Sequence, residues 1–205
     1  MAKIKFTKGE LKRQRDSLKQ FLRYLPTLQL KKQQLQLEIL QQNTALQNAE
    51  QSLESKRQGV LVWAGLLSEA QEDFHSFVKP DKTVTHFKNI AGVDVPVFDA
   101  LEFSEKDYDL FLFPLWVDSA IKSLRELAGL HKKIDTLRQG LDVLRRELRV
   151  TTQRVNLFEK VKIPQAEENI RLIKIYIGDQ MANAVGRSKI AKKKIEEMVL
   201  EGAMS

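Results

Sequence analysis

The chain has 205 residues, with 34 Lys plus Arg against 27 Asp plus Glu, a formal net charge of +7, and no cysteine. The lack of cysteine excludes disulfides, thiolate metal sites and cysteine nucleophiles. The longest apolar runs span about eight residues, whereas a transmembrane helix needs roughly 20, and the lysine-studded N-terminus is not followed by a recognisable secretory signal. We therefore expect a soluble cytoplasmic chain.

The first 78 residues carry a long apolar stripe. Alternating steps of three and four residues from Leu11 to Phe77 meet twenty positions, of which sixteen are apolar. A spacing of 3.5 residues held over this length is typical of a coiled-coil seam. We predict an N-terminal coiled-coil arm within residues 1–78.

Residues 79–113 differ in character and predict a β-hairpin. Two β-rich runs, Thr83–Ile90 and Val93–Phe98, flank Ala91 and Gly92, which is a short-turn signal. Pro96 lacks a backbone donor, which suits a strand of a two-stranded ribbon. The hairpin residues singled out for a role are Thr83, Phe87, Gly92, Val95 and Pro96.

Residues 114–205 predict a C-terminal coiled-coil arm with a basic tip. One stripe runs from Ile134 to Phe158, and a second runs from Ile170 to Met198 after a break that contains Pro164. The predicted fold is therefore mainly α, a long antiparallel two-helix coiled coil with a small β-hairpin region in mid-chain.

If the chain reverses with Phe77 opposite Pro114, the two internal prolines, Pro26 and Pro164, lie at the same level and bend both helices together. The same pairing leaves the C-terminal helix overhanging the N-terminus.

Residues 1–23 hold eight basic and two acidic side chains, and residues 187–194 hold five basic ones. We expect these two segments to meet at one strongly positive end.

The sequence shows no phosphate-binding glycine loop, and its three histidines are too scattered for a metal cluster. We predict no catalytic, cofactor or metal site. The basic end has three interpretations, namely solvated charge, binding of nucleic acid or an acidic membrane through phosphates, and insertion into a protein cavity. Composition does not choose among them.

The segment Thr151–Ile170 reads TTQRVNLFEKVKIPQAEENI and carries a specific resemblance to a known family. Its Arg-Val-Asn run leading into Ile-Pro resembles the signature of the D subunit of V-type and archaeal-type rotary ATPases. The stretch from Leu28 to Leu35, the hairpin ending in Val95-Pro96 and the basic helix from Lys189 to Lys194 resemble the same family. The motif residues are Arg154, Asn156, Glu159 and Pro164.

The resemblance implies a non-catalytic central-stalk rotor of a V/A-type ATP synthase or ATPase, which couples ATP turnover to ion transport. Its implied partners are the A and B subunits of the catalytic head, the small F subunit of the stalk and a membrane-side socket subunit, without cofactors, nucleic acid or direct membrane insertion. The chain would be cytoplasmic and peripheral to the membrane. The residues expected to face the head cavity are Lys189, Lys192, Lys193, Lys194, Arg13 and Arg15.

Two other functions stay open from the residues alone. A coiled-coil adaptor or scaffold would use the same seam without rotating. A nucleic-acid binder would use the basic tip, with an affinity that falls steeply with salt. Both predict no dependence on an ATPase head.

Overall fold

A computed structural model describes residues 5–69, 75–103, 114 and 116–202. Its helices are α1 (Lys8–Leu61), α2 (His75–Val78), α3 (Trp116–Leu157) and α4 (Ile163–Gly202), with a 3-10 helix at Ala64–Glu69 and a π-helix at Phe158–Lys162. Strands β1 (Lys82–Ile90) and β2 (Val93–Glu102) form one antiparallel sheet. The predicted mainly α fold with a mid-chain hairpin is confirmed.

The chain divides into two units, residues 30–152 and residues 1–29 with 153–205. Within the first unit, α1 and α3 run antiparallel along a buried seam. Lys31 Nζ donates to Glu147 Oε1 at 2.8 Å, and Arg138 Nη2 donates to Glu50 Oε1 at 2.8 Å. Leu35 and Leu144 between these pairs are fully buried, as the predicted stripe requires.

The hairpin packs onto this helical pair. Val95 is fully buried and forms one core with Leu35 and Leu144. Its close approach depends on Gly140, because a Cβ there would lie 2.9 Å from Val95 Cγ1. The turn at Ala91 and Gly92 has positive φ values of 51° and 77°, which fits a two-residue turn matching the strand twist.

Within the second unit, the N-terminal part of α1 pairs with the chain from the π-helix into α4. The rings of Phe21 and Phe158 lie 5.3 Å apart, and those of Phe6 and Tyr176 lie 5.0 Å apart. Asn169 Nδ2 donates to Gln14 Oε1 at 3.4 Å. This pairing is also antiparallel.

The prediction that Pro26 and Pro164 lie opposite each other on the two helices is wrong. Pro164 lies between Phe158 and Asn169, so it faces the part of α1 between Gln14 and Phe21, more than one turn before Pro26. The predicted reversal assumed that the first arm continues to Phe77. Instead α1 ends at Leu61, and Phe77 lies level with Arg125, whose Nε donates to the Phe77 carbonyl at 3.0 Å.

The break predicted at Pro164 is a local change of helix type. Proline has no N–H, and its ring clashes with the preceding turn of an α-helix. The chain widens just before it, and the Ile163 N–H bonds to the Phe158 carbonyl, five residues back. An extra residue is thereby absorbed, and the helix continues through Pro164.

Candidate partner-binding surfaces

The C-terminal half of α4 is bare. Every side chain from residue 178 to residue 199 is exposed, whereas Ile170 and Ile173, earlier on the same helix, are buried. The apolar stripe nevertheless continues into this region, with Met181 51% and Ile195 61% exposed. The predicted overhang is therefore present in the described residues, and it begins directly after Ile177.

The tip lysines lie on this bare segment. Lys189, Lys192, Lys193 and Lys194 are all exposed. Lys192 and Lys193 each lie 3.7 Å from a carboxylate one turn on, those of Glu196 and Glu197. Exposed pairs of this kind hold their side chains weakly, so the lysines remain accessible to a partner.

The two basic segments do not meet among the described residues. Arg13 and Arg15 are exposed on α1, and Arg13 borders a groove of about 390 Å³ whose other side is formed by Lys162, Gln165 and Asn169. Asn169 and Lys189 are twenty residues apart on one helix, about 30 Å at 1.5 Å per residue. The nearest contact of the N-terminal segment with this helix, Phe6 against Tyr176, is eleven residues before Arg187, about 17 Å at 1.5 Å per residue. The described residues therefore do not bring the two basic segments into contact, and Lys3 lies outside them.

The motif residues surround the π-helix. Arg154 and Asn156 lie on the last turn of α3, Glu159 lies within the π-helix and Pro164 is the second residue of α4. All four are exposed. The buried neighbours are Val155 and Ala166. The motif thus combines a structural element, the π-turn and its proline, with a row of accessible polar side chains.

The hairpin has a buried and an accessible face. Val95 packs inward, while Phe87 on the other strand is 71% exposed although it pairs directly with Pro96. A register shift between Val84 and Thr85 places Asp99 beside His86, and both carboxylate oxygens lie 2.8 Å from His86 Nδ1. Thr83 pairs with Leu101 near the open end.

Two carboxylates on the helices have lowered pKa values. The hydrogen bond and charge of Lys56 on α1 lower the pKa of Glu126 on α3. The hydrogen bond from Arg171 lowers the pKa of Glu168, one turn earlier on α4. Both groups are solvent-exposed and act as ion-pair partners.

Sequence reasoning missed two kinds of residue. Ile163 and Ala166 belong to the seam but fall outside the predicted stripe, because the step from Phe158 to Ile163 is five residues. Pro164 was the signal that could have found this shift. Gly140 was also missed, since a lone glycine in a helical pattern does not reveal which strand approaches it.

Neither a metal cluster nor a membrane-crossing helix occurs in the described ranges. No group of three or more His, Asp or Glu side chains there is arranged to hold a metal ion. No helix there is both long and apolar enough to cross a membrane.

The fold defines an antiparallel helical pair with a packed β-hairpin and a helix end without a partner in the described chain. Residues 10–193 match the family of the ATP synthase D subunit. The chain is 45% identical to the V-type ATP synthase D subunit of Borreliella burgdorferi over 95% of this chain and 96% of that one. It is 35% identical to the Chlamydia muridarum protein of the same name, over 96% and 98%. The chain belongs to the ATP synthase D-subunit family.

Proposed function

We propose that the chain is the central-stalk rotor subunit of a V/A-type ATP synthase or ATPase. In this role it transmits torque between the catalytic head and the membrane ion-translocating ring, and catalyses no reaction itself. The observation that carries the proposal is the bare half of α4, residues 178–199. Together with family membership, a long exposed helix end with an apolar stripe and lysines supports insertion into a partner's cavity.

Coupling would arise from unequal contact. A shaft that touches the catalytic subunits differently at each angle favours a different nucleotide state in each of them, because a ligand shifts an equilibrium only by its differential affinity. We assign contact with the A and B subunits of the head to Lys189, Lys192, Lys193 and Lys194 on α4, together with Arg13 and Arg15 on α1.

The buried seam suits the transmission of torque. Leu35, Leu144 and Val95 lock α1, α3 and the hairpin into one core, and cores of this density resist deformation. The remaining proposed partners are the small F subunit of the stalk and a membrane-side socket subunit. The chain would then be cytoplasmic and peripheral to the membrane as part of the assembled complex.

The proposal is tested by affinity purification of the tagged chain from its native membranes at moderate salt, followed by identification of bound subunits and an ATPase assay. The expected result is recovery of the A and B subunits of the head, the small F subunit and nucleotide-dependent hydrolysis. A chain that purifies alone, or bound to nucleic acid, contradicts the proposal.

Removal of residues 187–205 probes the role of the tip in the same complex. We expect ATP hydrolysis to persist with weakened ion pumping, because the shaft would lose contacts inside the head. Replacing Lys132 and Lys133 by Gln provides a control with two exposed α3 lysines changed. Unchanged coupling in reconstituted vesicles after truncation would refute the role of the tip.

A further inference from the structure

A buried amide group lies where the hairpin meets the two helices of the unit formed by residues 30–152. Gln42 on α1 is half-buried, and its Oε1 atom is buried without a hydrogen bond from any described residue. A buried polar atom without a partner destabilises a fold, and nearly all such atoms in native proteins are paired. The amide group of Gln42 therefore calls for a partner close by.

A carbonyl group of the hairpin approaches the same place. The point where a Cβ atom would lie on Gly140 is 3.2 Å from Gln42 Oε1 and 3.7 Å from the carbonyl oxygen of Pro96. The absence of a side chain at Gly140 thus lets both groups reach one small space between α1, α3 and β2. Two acceptor oxygens that share such a space repel each other, whereas a donor and an acceptor attract.

Strand pairing leaves the Pro96 carbonyl without a partner in the sheet. Ile90 and Val93 flank the two-residue turn and therefore form a hydrogen-bonded pair. Along an antiparallel ladder, bonded and non-bonded pairs alternate, which makes the pair of Phe87 with Pro96, three steps further, a non-bonded one. The Pro96 carbonyl accordingly points away from β1, and its oxygen lies beside Gly140.

Proline suits this position of β2. Another residue here would direct its N–H, like its carbonyl, away from β1 and towards the helices, where that N–H would need an acceptor. Proline has no N–H, so a donor alone is required. The Nε2 atom of Gln42 carries two N–H groups, and a half-turn of the amide about the Cγ–Cδ bond exchanges Nε2 and Oε1 without altering the shape of the side chain.

We propose that Gln42 is a positioning residue for the hairpin, with Nε2 turned inward to donate a hydrogen bond of about 3 Å to the Pro96 carbonyl. A two-stranded ribbon is marginally stable alone, so the order of the hairpin depends on its packing against the helices. Val95 supplies apolar contact there, which has no direction, and the Gln42 bond fixes the position of β2. This inference concerns the chain itself and is independent of its proposed role as a rotor.

Removing the donor tests the proposal in the isolated full-length chain. Methionine has nearly the length of glutamine but no N–H, so Q42M leaves the Pro96 carbonyl unpaired. We expect the backbone N–H groups of Lys88 and Val95, a bonded pair of the hairpin, to exchange with deuterium roughly tenfold faster or more. Exchange at Ile173 on α4 should stay within about twofold.

The matched control is Q41M, which makes the same change at the neighbouring, exposed position of α1. It should leave exchange in the hairpin within about twofold of the unaltered chain. If Gln42 Oε1 were simply an unpaired acceptor, Q42M would remove a destabilising atom, and hairpin exchange would stay unchanged or become slower. Either of those results would overturn the proposal.

A second measurement needs no substitution, so it decides the matter even if Q42M fails to fold. NMR couplings across a hydrogen bond connect the donor nitrogen with the acceptor carbonyl carbon. We expect such a coupling between Gln42 Nε2 and the Pro96 carbonyl carbon, with the bonds between β1 and β2 as the internal standard. A coupling of Nε2 to a different carbonyl, or none while the ladder couplings are observed, would contradict the assignment.

Discussion

The apolar stripe of the C-terminal arm is buried in one region of the molecule and exposed in another. Between Ile134 and Val155 on α3, its side chains are buried or half-buried against α1, whereas between Met181 and Met198 on α4 they are exposed. The spacing of three and four residues is the same in both regions. Periodicity therefore identifies the face that a helix offers to a partner, but it does not say whether the partner belongs to the same chain.

The largest expected effect on stability comes from deleting a single residue, either before the π-helix that joins α3 to α4 or within it. Deleting Arg146 rotates all later seam residues by about 100° and should abolish cooperative folding, a loss above about 4–5 kcal/mol. Deleting Val161 should be tolerated within about 2 kcal/mol, because the π-helix already holds an extra residue and can revert to an α-helix. Urea denaturation of both variants measures the difference. Equal damage from the two deletions would contradict this account of the π-helix.

Truncation of one side chain in each region compares the buried and bare stripes directly. Leu144 is fully buried against Leu35 and Val95, so Leu144→Ala should lower the free energy of unfolding by about 2–5 kcal/mol. Ile195 is 61% exposed, so Ile195→Ala should change it by about 0.5 kcal/mol or less in the isolated chain. A large loss at Ile195 would show that the α4 end is packed in solution.

Substituting one glycine by alanine in each region also compares the buried and exposed stripes. At Gly140 a Cβ would lie 2.9 Å from Val95 Cγ1 and 3.2 Å from Gln42 Oε1, so Gly140→Ala should destabilise by about 1–2 kcal/mol through overpacking. Gly178 has nothing within 4 Å, so Gly178→Ala should stabilise by about 0.5–1 kcal/mol. Thermal melting gives both signs. A stabilising Gly140→Ala would mean that the hairpin does not pack closely here.

The smallest expected effect is the pH dependence of the Lys56–Glu126 ion pair, which joins α1 to α3. Lys56 lowers the pKa of Glu126 below its ordinary value of 4.5, so the pair stabilises the folded chain above that pH. Its contribution is lost as the pH falls through the lowered pKa. The coupling between Lys56→Gln and Glu126→Gln in a double-mutant cycle should therefore be present at pH 7 and vanish in acid. A coupling that is unchanged by acid would contradict this assignment.

Much of the fold could be predicted from the sequence. The stripe positions from Leu11 to Leu53 are all half-buried or buried, and the turn at Ala91 and Gly92 lies where predicted. Such features are encoded locally, in spacing and turn chemistry. The stripe did not reveal that α1 ends at Leu61, because the apolar residues beyond it continue at the same spacing.

The features that escaped prediction depend on contacts between distant residues. The need for glycine at position 140 arises only from the close approach of Val95. The position of Pro26 along the helical pair relative to Pro164 depends on where the chain reverses. Among the candidate surfaces, the exposure of Lys189 to Lys194 could be predicted from charge. The hydrogen bond from Arg145 to Asn43 could not, because it depends on the register of α1 against α3.

The central claim, that the chain turns inside an ATPase head, is tested most directly by observing rotation. The chain has no cysteine, so Val62→Cys, at a site 88% exposed, gives this chain a single attachment point for a visible probe in an immobilised complex. Our account predicts that the probe rotates in one direction when ATP is added and stops when hydrolysis is inhibited. A probe that stays fixed while the same complexes hydrolyse ATP would contradict it.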